Sequence, residues 1–288
     1  MCDNRKNFII AVACPARSGI VVSVVSFLTG SNCYISELSQ FDDEQSGRFF
    51  LRARFYFNDW LDEDIDALRS GFNVVAEQFL MEWGIHDSAT SMRVLVMVSK
   101  EDHCLEDLLY RRRKSELQID IPAIISNHLD LKSIADREAI PFIFLPVTND
   151  NKSEQEGKLL DIVMETKSEL IVLARYMQVF SDSLCQELFG RVINIHHSFL
   201  PGFKGGRAYH QAFERGVKLI GATSHYVTPD LDEGPIIDQE VRPVDHTYLT
   251  EDLVAAGRQT ETVALSRSVK YHIEHRVFIN GNKTVVIK

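Results

Sequence analysis

The period of the hydrophobic positions changes several times along the chain, and each change marks an element. Residues 8–14 form an apolar run of high β-propensity. Ser18-Gly19 follows, then an apolar stretch over 20–28 that Gly30-Ser31-Asn32 stops. Residues 34–41 alternate as a half-buried strand does, and the polar segment 42–47 with Gly47 reads as a hairpin connection. Residues 48–57 alternate again. Phe49, Leu51, Ala53, Phe55 and Phe57 fall on one face, and Phe50, Arg52, Arg54 and Tyr56 on the other. Over 61–83 the apolar residues Ile65, Leu68, Phe72, Val75 and Phe79 have helical spacing. A short strand over 85–90 completes a βαββαβ order of the ferredoxin-like kind.

From Arg93 the pattern is different. Residues 94–98 are continuously apolar, as in a strand covered on both faces. Helices are expected over 103–114, 131–138 and 154–166, and strands over 121–126, 142–145, 170–174 and 192–195. Strand alternating with helix implies an α/β unit with a mostly parallel, Rossmann-like sheet. The chain therefore divides into residues 1–88 and 92–288. In such sheets ligands sit at the carboxyl ends of strands, so the residues just after Ala174 and Ile195 hold privileged positions.

Composition narrows the function classes. The net charge of −10 argues against a nucleic-acid surface, which needs clustered Lys and Arg. The one basic run, Arg111-Arg112-Arg113-Lys114, reads as a solvated helix end. Five cysteines without a CxxC pair suit reduced thiols in the cytoplasm. No signal-like leader stands at the N-terminus, and no apolar run reaches the ~18 residues of a membrane span.

The chemistry is concentrated between Arg191 and Pro235. A strand carries Asn194 and His196 at alternate positions, which extended backbone turns to one side. A Gly-rich turn over 202–206 and a short helix through Arg215 follow. A strand over 218–227 then contains His225 and ends in Thr228-Pro229-Asp230-Leu231-Asp232-Glu233-Gly234-Pro235. An Asn amide can donate to a developing oxyanion, His moves protons near neutral pH, and an Asp facing them orients the imidazole or polarises a water. Ser198 lacks the strained elbow of a serine nucleophile. The histidines His196, His197, His210 and His225 lack metal-ligand spacing, so no metal is expected.

The segments Asn194-Ile195-His196-His197-Ser198-Phe199-Leu200-Pro201 and Leu231-Asp232-Glu233-Gly234-Pro235 resemble the signature of the formyltransferase family of folate enzymes. The resemblance implies a catalytic trio of Asn194, His196 and Asp232, with His225 associated. It implies that Leu173, Tyr176, Met177, Gln178, Val179 and Phe180 line a folate pocket, and that Thr228, Pro229, Asp230 and Leu231 hold the pterin. The substrate implied is 10-formyltetrahydrofolate, with no further cofactor. The N-terminal unit resembles an ACT domain, on the loop Cys14-Pro15-Ala16-Arg17-Ser18-Gly19-Ile20-Val21, where Ala16 stands for the usual Asp. That implies an amino-acid effector and a homo-oligomer, dimer or tetramer.

The formyl acceptor is then the open question. A phosphorylated acceptor needs a Gly-rich cradle after the first strand of the sheet. Here that strand is followed by Ser99-Lys100-Glu101-Asp102-His103, with no Gly and two carboxylates. Water is the expected acceptor, giving formate for purine biosynthesis. Transfer to a small amine, and a regulatory protein acting through its ACT-like unit, are the two other readings.

Overall fold

The structure is a computed structural model and describes residues 6–58, 64–198, 200 and 208–288. It has two compact units. One comprises Met1–Thr90, Glu274–Asn280 and Thr284–Lys288, the other Ser91–Ile273 and Gly281–Lys283.

The first unit runs β1 (Phe8–Pro15), α1 (Ile20–Gly30), β2 (Cys33–Asp43), β3 (Arg48–Phe57), α2 (Ile65–Phe79) and β4 (Glu82–Asp87). The strands form an antiparallel sheet in the order β2-β3-β1-β4. Helix α1 follows Gly19, whose φ of 92° is left-handed and suits glycine. It buries Ile20, Val24 and Leu28, one stripe at helical spacing. Asp64 caps α2 by accepting the Ala67 N–H at 2.8 Å, and Leu68, Phe72, Ala76 and Phe79 close the core.

Alternation along β3 predicts one solvated face, yet Phe50 and Arg52 are both buried. The C-terminal segment accounts for this. The Phe278 ring lies 5.4 Å from that of Phe50, and the Arg52 Nε donates to the Glu274 carbonyl at 3.0 Å. Glu37 satisfies the Arg52 charge at 2.8 Å.

The second unit continues with β5 (Met92–Val98), α3 (His103–Arg113), β6 (Ile119–Asp120), β7 (Ile124–Ser126), α4 (Lys132–Arg137), β8 (Phe142–Phe144), α5 (Lys152–Thr166), β9 (Leu170–Leu173), α6 (Asp182–Glu187), β10 (Val192–His196), α7 (Ala208–Arg215), β11 (Leu219–Tyr226), β12 (Ile236–Pro243) and α8 (Thr250–Ile273). A short pair, β13 (Val277–Asn280) and β14 (Lys283–Val286), ends the chain. The large sheet has the order β12-β11-β10-β9-β5-β7-β8, with β6 beside β5. It is parallel from β10 to β8, whereas β11 and β12 add antiparallel. Val94 to Val98 are all buried, as the unbroken apolar run requires.

From β5 the chain first builds outward through β7 and β8, then returns to the other side of β5 with β9. The reversal opens a crevice at the carboxyl ends of β5 and β9. The basic run at the end of α3 is engaged in ion pairs: Arg111 with Asp107 and Glu116, Arg113 with Glu138.

Candidate active site

Strand pairing explains why the candidate residues meet. In the β10–β11 ladder Asn194 lies opposite His225, so the two side chains share a face. His196 shares it too, two positions along. After β11 the chain turns back through 227–235 into β12. Gly234 makes this return passable, because a Cβ there would lie 1.8 Å from the Tyr226 carbonyl oxygen. Asp232 has a left-handed φ of 58°, and the turn aims its carboxylate at both histidines.

The distances define a compact polar constellation. Asp232 Oδ2 is 3.3 Å from His196 Nδ1, and Oδ1 is 3.8 Å from His225 Nε2. His225 Nδ1 lies 2.8 Å from the Tyr226 carbonyl, an acceptor only, so Nδ1 carries the proton. In the neutral ring Nε2 then accepts from Asn194 Nδ2 at 3.3 Å. His225 thereby fixes which end of the Asn194 amide is its donor end. Burial pushes the Asp232 carboxyl up, but hydrogen bonding and charge, from His196 first, outweigh burial and hold it well below the usual carboxylate range. Asp232 is an ionised carboxylate at neutral pH.

These groups face a solvent-open cleft of about 180 Å³. Leu173, Tyr176 to Phe180, Asn194, His196, His225, Thr228, Leu231 and Asp232 all line it. Pro229 and Asp230 lie in the same loop but outside the lining; the Asp230 carbonyl accepts from Thr228 Oγ1 at 3.1 Å. The Gly-rich turn 202–206 and Pro201 fall outside the described residues. Ser99 straps the wall in place: its Oγ donates to Asn127 Oδ1 at 2.7 Å and accepts the Met177 N–H at 3.0 Å. Thr223 does the same below the trio. Its Oγ donates to the Ser198 carbonyl at 3.0 Å and accepts the Leu200 N–H at 3.1 Å.

Sequence reasoning missed Arg175, Cys185, Ile195, His197 and Val227, which also line the cleft. Arg175 had a signal, since it stands just after Ala174 at a strand's carboxyl end. At the end of β5, Glu101 is held by Arg258 at 3.2 Å. Among the described residues, His103, Cys104 and Glu261 have donor atoms close enough for a metal ion. The Arg175 cation 3.4 Å from Glu261 opposes one, and burial pushes the Cys104 thiol well up, keeping it protonated.

Residues 92–269 match the formyl transferase family. The similarity extends across both units. The chain is 50% identical over 280 residues to formyltetrahydrofolate deformylase of Corynebacterium sp. (strain P-1), covering 97% of this chain and 98% of that protein. The chain belongs to the formyltetrahydrofolate deformylase family. Two crystal structures of deformylases from this family share its fold throughout. That from Burkholderia mallei has a TM-score of 0.94 and 51% identity, covering 98% of this chain and all of the other. That from Pseudomonas syringae has a TM-score of 0.95 and 45% identity, covering 100% of this chain and 96% of the other. The N-terminal sheet is thus part of the deformylase architecture and not an appendage peculiar to this chain.

Proposed function

We propose that the chain hydrolyses 10-formyltetrahydrofolate to formate and tetrahydrofolate, with Asn194, His196 and Asp232 as its catalytic residues. The observation carrying this is the ionised Asp232 carboxylate 3.3 Å from His196 Nδ1, in a cleft that Asn194 also lines. The folate lies against Leu173 and the 176–180 segment, with its pterin held by the 228–231 loop. Asp232 and His196 position a water and take up its proton. The water oxygen attacks the formyl carbon. Asn194 Nδ2–H and protonated His196 stabilise the oxyanion, a contribution of about 10²–10³-fold for one such donor. The C–N bond breaks as the nitrogen is protonated. An arylamine leaves more readily than an alkylamine, which suits a folate nitrogen.

Water as acceptor agrees with the strand end at Ser99 to His103, where Glu101 stands in place of a phosphate cradle. The ACT-like unit supports an amino-acid effector and a homo-oligomer. No helix among the described residues is long and apolar enough to cross a membrane, and the reading places the enzyme in cytoplasmic one-carbon metabolism, supplying formate for purine synthesis. The test is incubation of purified protein with 10-formyltetrahydrofolate and no acceptor. Formate release at enzymatic rates is expected. If tetrahydrofolate forms only on adding an amine, with a formylated amine in place of formate, the chain transfers the formyl group instead.

A further inference from the structure

A second charged cluster lies in the same unit as the trio, and the hydrolysis outlined above makes no use of it. The Glu261 carboxylate, on α8, is only 1% exposed. Its Oε2 is 2.7 Å from His103 Nε2, and its Oε1 accepts the Tyr209 hydroxyl at 2.7 Å. Gly257, one turn earlier on α8, admits the Tyr209 ring, since a Cβ there would lie 2.1 Å from it. Burial pushes the Glu261 carboxyl up; the His103 hydrogen bond, the Arg175 charge and the Tyr209 hydrogen bond outweigh it and keep Glu261 ionised.

Arg175 is the member of this cluster that reaches the cleft. Its φ of 66° is a backbone conformation that residues with a side chain rarely adopt, and such outliers gather at functional sites. Its side chain is 14% exposed and lines the cleft with Asn194, His196 and His197. Its Nε lies 3.4 Å from Glu261 Oε2 and makes no hydrogen bond. Glu261 therefore holds the guanidinium by charge, without a hydrogen bond at Nε. An arginine fixed in this way beside a reaction centre is suited to a planar carboxylate.

The reaction produces such a group. Water adds across the C–N bond, hydroxyl to the formyl carbon and hydrogen to the nitrogen. The formic acid then gives its proton to His196 or to solvent. A neutral amide has become an anion beside the ionised Asp232, and the like charges repel. We propose that Arg175, held by Glu261, is the binding residue for the formate product. This rests on the hydrolytic reading.

The test measures inhibition of 10-formyltetrahydrofolate turnover by added formate, using the full-length protein. Arg175→Gly suits the left-handed backbone and removes the guanidinium. The expected result is a formate inhibition constant raised about tenfold or more, as for loss of a hydrogen bond to a charged group, with folate KM nearly unchanged. Arg175→Lys keeps the charge without the fork and should give a smaller rise; it serves as the readout if the Gly variant does not fold. Glu261→Gln removes the charge that holds the guanidinium and should raise the formate inhibition constant, with folate KM nearly unchanged; a merely structural role would move both. An unchanged inhibition constant in the Arg175 variants overturns the proposal, as does a parallel rise in KM. Titration of 13C-formate by NMR line broadening reads the same binding without turnover. If the wild type released no formate, the hydrolytic reading would fail, while the NMR titration would still decide the role of Arg175.

Discussion

Nδ1 of His196 and Oδ2 of Asp232 lie 3.3 Å apart, although one residue ends a central strand and the other sits in a turn beyond the next strand. The pair joins a proton carrier to a permanent charge. Asp232→Asn keeps the shape and removes the charge. Its kcat should fall about 10²-fold or more, the scale of general acid–base help. Folate affinity, measured by fluorescence titration, should stay close to the wild-type value. Parental turnover in this variant would refute the assignment.

The depressed Asp232 pKa also has a sign. The folded-state value lies below the unfolded one, so the ionised carboxylate adds stability above the ordinary carboxylate range and loses it only as pH falls further. The acid limb of a kcat profile should accordingly survive unchanged in position when Asp230, its exposed neighbour, is replaced by Asn. It should not show a group titrating in the ordinary Asp range.

Asn194→Ala removes the amide donor that His225 orients. A loss in kcat of about 10²–10³-fold is expected, with little change in KM, because the donor acts on charge that develops only during reaction. A rise in KM with kcat unchanged would place Asn194 in ground-state binding instead.

Gly234→Ala tests the return of the chain beside the site. The added methyl meets the Tyr226 carbonyl, so the turn carrying Asp232 must shift. A destabilisation of about 1–3 kcal/mol is expected from such overpacking, together with reduced kcat. Chemical denaturation and steady-state kinetics report the two effects separately.

His272 gives a pH dependence of stability. Burial holds its imidazole down to about 4, and its Nδ1 accepts the Tyr226 hydroxyl at 2.7 Å. The unfolded chain takes up this proton near about pH 6.5, while the folded one resists until much lower pH. The stability it contributes is complete above that value and declines as pH falls toward about 4. His272→Gln keeps an acceptor but does not titrate. Its melting temperature should drop less than that of the wild type between about pH 7 and about pH 4.5.

Much of the architecture is written in short-range patterns. The stripe Leu68, Phe72 and Phe79 marks α2, and the unbroken run 94–98 marks a doubly covered strand, because burial and backbone period are coupled locally. Asn194 and His196 at alternate positions announce a shared face for the same reason. Other features have no local signature. The polar-looking face of β3 is buried because Phe278 and Glu274, far along the chain, cover Phe50 and Arg52. Glu261 reads as one more surface acid of an amphipathic helix until α3, α7 and the end of β9 bring His103, Tyr209 and Arg175 to it.

The sequence by itself determined the two-part α/β organisation, the family resemblance, and the three residues proposed as catalytic, Asn194, His196 and Asp232. Tertiary structure decided which nitrogen of His196 meets Asp232, how His225 turns the Asn194 amide, and that Arg175 stands in the cleft. Residue type and period constrain what a segment can bury, but distances of about 3 Å between strands and turns depend on register, on the left-handed backbone at Arg175 and Asp232, and on the close approach that Gly234 permits.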